Sequence, residues 1–262
     1  MSVSLSPSLE FVLVTRLRAA GCVFAEDEAR LIVSAARTSD ELSSMLDRRV
    51  AGVPLEHVLG WAEFCGLRIE VDPRVFVPRR RTAFLVEQAA ALAPPNAVVV
   101  DLCCGSGAVG AALADALDRM ELYAVDIDPV AVRCARRNVP DPGRVFEGDL
   151  YAPLPTSLTG RVDILVANAP YVPTEAIRLM PPEARLHEPR VSLDGGTDGL
   201  DIQRRVTAGA RSWLAPGGHL LIETSERQAP RTAAAFADAG LTTRVESSDE
   251  MGATVVVGTN PR

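Results

Sequence analysis

Lysine is missing from this chain, so all 27 basic side chains among its 262 residues are arginines. An arginine run is therefore unremarkable by composition, and "RRR" at 79–81 reads first as a solvated face. An excess of positive charge is missing too. The net charge of −7 and pI near 5.1 argue against broad, salt-dependent binding to nucleic acid. The same run is the one candidate for a local basic patch. No apolar stretch approaches the roughly 20 residues that span a bilayer, so no membrane partner is expected. The opening "MSVSLSPSLEFVLVTRLR" has an acid and an arginine breaking its apolar part, a poor pattern for an export signal. A cytoplasmic, monomeric protein is expected. Metal-ligand spacing is also lacking. Cys22, Cys65, Cys103, Cys104 and Cys134 form no Cys-x-x-Cys pair and only three histidines accompany them, which excludes the usual zinc sites. Scattered cysteines in odd number suit a reducing compartment, as small buried hydrophobes.

What is there is an ordinary globular composition, 47% hydrophobic and 23% charged. The length allows one large core with a small appended domain. Leu9, Val12, Leu13 and Leu17 share a helical face, "EDEARLIVSAARTS" continues with a second amphipathic stretch, and "TSDELSSMLDRRVAG" begins a third. Gly21 and Gly52 are the expected terminators, and Ser39 or Asp40 the expected N-cap. From Phe64 the period changes. "FCGLRIEVDPRVFVP" alternates apolar residues around Asp-Pro, which predicts a β-hairpin bridge. A helix at about 82–93 follows, then apolar strands at 97–102, 121–125, 144–147, 162–167 and 218–223 with helical segments between most of them. That rhythm requires a parallel sheet covered on both faces. "LTTRVES" and "ATVVVGT" close it as an antiparallel pair.

"VVVDLCCGSGAVGAALADAL" reads as strand, glycine turn and helix. Gly105, Gly107 and Gly110 satisfy the dinucleotide fingerprint, with Asp126 at the end of the next strand. In that fingerprint the first glycine turns at the strand end, so that a pyrophosphate meets the helix N-terminus. Here Asp101, Leu102, Cys103 and Cys104 intervene, and a carboxylate there repels a diphosphate. It suits the ammonium of a methionine moiety, while the helix N-terminus favours the adjoining carboxylate. S-adenosylmethionine (SAM) has both groups and no phosphate. Asp126 can accept two ribose hydroxyls from either cofactor. Asp149, in "EGDLYAP", offers an acceptor to an adenine amino group, with Leu150 against the ring. Singly, each is equally a tight turn or a solvated strand end; at the ends of three successive strands they favour a site.

"NAPY" ends the strand at 162–167 and belongs on the same edge. An amide nitrogen is a poor nucleophile because its lone pair is delocalised. The Asn168 side-chain oxygen and the Ala169 carbonyl can receive both its N–H bonds, and Tyr171 can stack on a flat acceptor. The plain alternative is an Asn/Pro turn through Asn168 and Pro170 with a packed tyrosine.

With "PLEHVLGWAEFCGLRIEVDPRVFVPR", "DLCCGSGA", "AVDIDPVAV", "GDLY", "NAPYVP", "HEPRVSLDGGTDGLD" and "LAPGGHLLIE" in this order, the chain resembles the protein-(glutamine-N5) methyltransferases that modify peptide chain release factors. The resemblance implies an α/β fold: a seven-stranded Rossmann-like SAM-dependent methyltransferase domain over 79–262, an N-terminal helical substrate-recognition domain over 1–63, and a β-hairpin bridge over 64–78. It implies methylation of the glutamine of a Gly-Gly-Gln motif, with S-adenosylhomocysteine as product. By position, Cys103, Cys104, Gly105, Ser106, Gly107, Asp126, Leu150 and Asn168 match cofactor contacts, and Asp101, Ile127 and Asp149 are expected beside them. Asn168, Ala169, Pro170 and Tyr171 match the glutamine clamp. Phe64, Pro78, Arg79 and Thr82 match the substrate entrance, and Glu188 with Pro189 a supporting loop. No metal is implied. Ala169 replaces the first proline of the usual Asn-Pro-Pro-Tyr, Arg80, Arg81 and Ala83 stand where a proline and acids are usual, and Thr224 and Ser225 replace an isoleucine-glycine pair. The helical domain is about one hairpin shorter than usual. Other readings are the same chemistry on a nucleobase or a small amide or amine, a SAM-binding partner protein without catalysis, and a nicotinamide-dependent oxidoreductase that leaves Asn168 to Tyr171 unexplained.

Overall fold

The computed structural model describes residues 7–141 and 143–262. Residues 1–6 of the expected helical domain lie outside them. Helices α1 (Pro7–Ala19), α2 (Ala25–Ala35), α3 (Ser39–Val50) and α4 (Leu55–Leu59) come first. Leu13, Leu17, Ile32, Leu42, Leu46 and Val58 form their common core. Gly21 and Gly52 take φ of 89° and 91°, and their N–H groups return to the carbonyls of Arg18 and Arg49 in the helices they end. The α3 cap differs from the expectation. Thr38, not Ser39 or Asp40, accepts the Glu41 N–H at 3.1 Å, while Glu41 Oε2 accepts the Arg37 N–H at 2.8 Å. The Thr-x-x-Glu spacing makes this exchange possible, and neither Ser39 nor Asp40 has an acid three residues on.

The hairpin is also shifted. Strands β1 (Trp61–Phe64) and β2 (Leu67–Glu70) pair antiparallel through a turn at Cys65 and Gly66. Both turn residues have positive φ, 51° and 78°, which is what a two-residue hairpin needs. Asp72-Pro73 makes a separate turn, closed by the Val75 N–H on the Asp72 carbonyl at 3.0 Å, and the chain then runs on without a partner strand. The ladder therefore lies at 61–70 rather than 64–78. Its inner face, with Ala62, Phe64 and Ile69, joins the core of the larger unit.

That unit is one sheet of seven strands: β3 (Ala97–Leu102), β4 (Met120–Asp126), β5 (Arg144–Glu147), β6 (Val162–Ala167), β7 (Leu214–Thr224), β8 (Thr242–Ser248) and β9 (Ala253–Thr259). Their order is β5-β4-β3-β6-β7-β9-β8. The first five strands are parallel, and β9 runs antiparallel between β7 and β8. All six residues of β3 are buried, as a central strand covered on both faces must be. One face carries α5 (Ala83–Leu92), α6 (Ala108–Ala116) and α7 (Pro129–Asn138). The other carries α9 (Asp201–Trp213) and α10 (Ala229–Asp238), with the short α8 (Pro182–His187) in the loop after β6. Successive strands leave β3 in opposite directions, to β4 on one side and β6 on the other. A crevice opens at their C-terminal ends for that reason.

Replacing the α3 cap by Thr38→Ala should lower unfolding free energy by about 1 kcal/mol in urea titration. Ser39→Ala should change it by less than about 0.5 kcal/mol.

Candidate active site

A cleft of about 1070 Å³ lies over the ends of β3, β4 and β6. Its floor is the loop after β3, where Cys103, Gly105 and Gly107 all have positive φ, at 57°, 56° and 78°. A side chain at Gly107 would meet Ala135 and Val139 of the α7 end at 3.1 Å, so glycine is what lets α6 begin there. The Cys104 N–H is tied to the Val125 carbonyl at 3.0 Å. Gly105 donates its N–H to Asp126 Oδ2 and Asp128 donates its own to Asp126 Oδ1, both at 2.8 Å. Each oxygen of Asp126 keeps a further lone pair for a diol.

Asp101 is 1% exposed and accepts the Gly110 N–H at 3.0 Å. Burial pushes its carboxyl up to about 7, helped by the charge of Asp126 and opposed by the Gly110 bond. Burial likewise raises Asp126, against its backbone donors, and raises both thiols of Cys103 and Cys104, which leaves them protonated and unreactive. Asp149 is held by Arg205 at 2.7 Å, beside Leu150 at φ 49°.

Of the expected cofactor residues, Asp101, Cys103, Cys104, Gly105, Ser106, Asp126, Ile127, Asp149, Leu150 and Asn168 line the cleft; Gly107 lies beneath it as the first residue before α6. Phe64, Pro78, Thr82 and Pro170 line it as well, whereas Ala169, Tyr171, Arg79 and Glu188 do not. Asn168 Nδ2 donates to the buried Thr82 hydroxyl at 3.3 Å. Its oxygen is thereby left without a protein partner among the described residues. Ala169 is fully buried and its carbonyl likewise accepts nothing from them. The backbone after it is gripped by the glycine loop at 195–199. A side chain at Gly195 would lie 2.7 Å from the Pro170 carbonyl, and one at Gly199 would collide with that of Tyr171.

The arginine run is exposed at Arg80 and Arg81, as a solvated face is, yet two of its members are paired. Arg79 pairs with Glu188 at 2.6 Å and Arg81 with Glu223 at 3.2 Å, and both carboxylates are buried. Glu188 also accepts the Val77 N–H at 3.3 Å; burial raises its carboxyl and Arg79 opposes that. The Arg81 guanidinium donates to the Tyr171 phenol oxygen. Only Arg80 of the three has no such bond. Sequence reading missed Glu223, Arg205, Val191 and Ile202. An acid at the end of β7 obeys the same strand-end rule that picked out Asp101 and Asp126, so Glu223 had a signal. Arg205, on an amphipathic helix without a motif, had none.

Asp101, Asp126, Asp128 and Asp149 all line the cleft, with Arg205 the one cation among its described lining residues. Such a lining repels a diphosphate and fits a ligand bearing an ammonium, a sulfonium and a ribose diol. Fold and cleft together define a methyltransferase that uses S-adenosylmethionine. Residues 72–197 match the family model described as methyltransferase small domain. The chain is 39% identical over 217 residues to the release factor glutamine methyltransferase of Geobacter sulfurreducens, covering 82% of this chain and 75% of that one. It is 38% identical over 206 residues to that of Mycolicibacterium smegmatis, covering 78% and 73%. The chain belongs to the release factor glutamine methyltransferase family. A methyltransferase from Pyrococcus furiosus shares the fold, with a TM-score of 0.58 at 15% identity over 84% of this chain and 100% of that one. No helix among the described residues is long and apolar enough to cross a membrane.

A carboxyl held near 7 instead of the ordinary 3.8 favours the native state below that range and loses this contribution as pH rises through about 7. The ammonium that the sequence reading expects beside Asp101 would require the ionised form. Calorimetry should therefore show S-adenosylhomocysteine affinity falling up to about tenfold per unit below pH 7. In Asp101→Asn that slope should vanish, and the ligand-free stability should decline less between pH 5 and 8.

Proposed function

We propose that this enzyme methylates the side-chain amide N5 of a protein glutamine, in the Gly-Gly-Gln motif of a peptide chain release factor, in the cytoplasm and as a monomer. The observation that carries the reading is the Asn168 amide. Its nitrogen is committed to Thr82, so its oxygen is the group left to accept an N–H at the cleft edge.

S-adenosylmethionine, when bound, would supply a sulfonium methyl group; its transfer to N5 leaves a neutral thioether, and the amide then loses one N–H proton to water, so no strongly basic side chain is needed. Asp101 holds its ammonium, Asp126 its ribose and Asp149 with Leu150 its adenine. On the acceptor side, the Asn168 oxygen and the Ala169 carbonyl receive the two N–H bonds of the glutamine amide. Two acceptors on one nitrogen fix its plane and draw its lone pair out of conjugation, at the cost of ordering one side chain. Pro170 keeps Ala169 extended, so the carbonyl keeps its aim although the first ring of the usual clamp is absent. Tyr171 covers the amide and excludes water. Burial and the nearby Glu223 raise its phenol, so it stays un-ionised. Phe64 and Thr82 form the entrance, Arg79 and Glu188 brace it from behind, and the helical domain grips the substrate protein.

Methyl transfer from labelled S-adenosylmethionine to an intact release factor, followed by mass spectrometry, tests the reading. Label on the Gly-Gly-Gln glutamine supports it; label confined to RNA or a metabolite overturns the substrate. Asn168→Ala should lower turnover by about 10²-fold, as loss of one aimed polar contact does, with S-adenosylhomocysteine affinity changed less than about threefold.

A further inference from the structure

Asn168 and Tyr171 stand at the two ends of the proposed clamp, and adjacent residues of one short turn, Arg80–Thr82, hold them both. Thr82 takes the Asn168 amide, and Arg81 takes the Tyr171 phenol. Arg81 is itself fixed from behind. Its Nε donates to Glu223 Oε1 at 3.2 Å, and its guanidinium carbon lies 5.9 Å from the centre of the Tyr171 ring. Glu223 is 1% exposed, and its second oxygen has no partner among the described residues. A carboxylate buried this way leans on the one cation beside it, which makes the place of that cation hard to vary.

The torsion that sets the tilt of a tyrosine ring is broad and weakly restrained by the chain itself. A ring that must lie flat on an amide therefore needs a tether at its far end. A guanidinium can serve two acceptors from different nitrogens of one rigid plane, which an ammonium on a flexible stem does not do. We propose that Arg81, anchored by Glu223, is a positioning residue for the acceptor: it sets the tilt of Tyr171 over the amide that Asn168 and Ala169 hold. The proposal rests on the clamp reading above and adds to it the pair that orients its aromatic wall. Arg81 touches neither donor nor acceptor in this role and acts through the phenol oxygen.

The test is a double-mutant cycle of Arg81→Gln and Tyr171→Phe, read with a synthetic peptide containing Gly-Gly-Gln. Arg81→Gln should lower kcat about tenfold, with KM for the peptide and affinity for S-adenosylhomocysteine moving less than about threefold. Arg81→Lys should restore only part of the loss. In the Tyr171→Phe background, where the phenol oxygen is gone, Arg81→Gln should cost less than about threefold more. Equal cost in both backgrounds overturns the proposal, as does full rescue by lysine. Glu223→Gln keeps an acceptor for Arg81 and serves if Arg81→Gln does not fold; its loss of kcat must likewise shrink in the Tyr171→Phe background. Full turnover in Asn168→Ala would sink the clamp reading instead, and so separates the two failures.

Discussion

Burying Asp101 is the constraint from which the cleft follows. A carboxyl in the middle of a seven-stranded sheet is costly unless something polar reaches it. The one backbone donor among the described residues that does so is the Gly110 N–H, in the first turn of α6. That approach works because position 110 has no side chain: a Cβ there would lie 3.3 Å from the carboxylate and 3.2 Å from Leu122. The helix must start close to the strand, so the intervening loop is tight and left-handed at three positions. The single donor leaves the carboxyl under-compensated, which is the gap the proposed ammonium contact would fill. Choice of donor and path of the backbone are thus one property.

The proposed acceptor side is built differently, from contacts between segments far apart in the chain. Thr82 and Arg81 precede the sheet, Asn168 to Tyr171 follow its fourth strand, and Glu223 and Gln228 come two helices later. Gln228 donates to the Tyr171 carbonyl at 2.9 Å, and Glu223 reaches the ring through Arg81. The donor site is a local motif on one strand–loop–helix unit. The acceptor site is a convergence of loops.

That contrast explains what could be read in advance. The parallel strands were legible because a strand buried on both faces is an apolar run, as "AVVVDL" is, and because acids at three strand ends fall on one edge. The hairpin was legible as a hairpin but not in register: Asp-Pro is the louder turn signal, while Cys65 takes the left-handed conformation against its own preference. The pairing within the arginine run was not legible because its partners lie 109 and 142 residues away, at Glu188 and Glu223. With every cation an arginine, composition offers no hint of which ones are paired. The place of Asn168 at the cleft was legible, and the Thr82 hydroxyl that takes its amide N–H was not.

The loop at 195–199 has a consequence for how this family can drift. Gly195 and Gly199 lie against the carbonyls of Pro170 and Tyr171 so closely that any side chain at either would push the acceptor peptide out of place. Between them Asp198 is partly buried, paired with Arg204 at 2.5 Å and with Arg231, and accepts the Leu200 N–H at 3.1 Å. With Asp198 tied down and both glycines bare, exposed Thr197 is where this loop can change its chemistry without shifting the backbone it cradles.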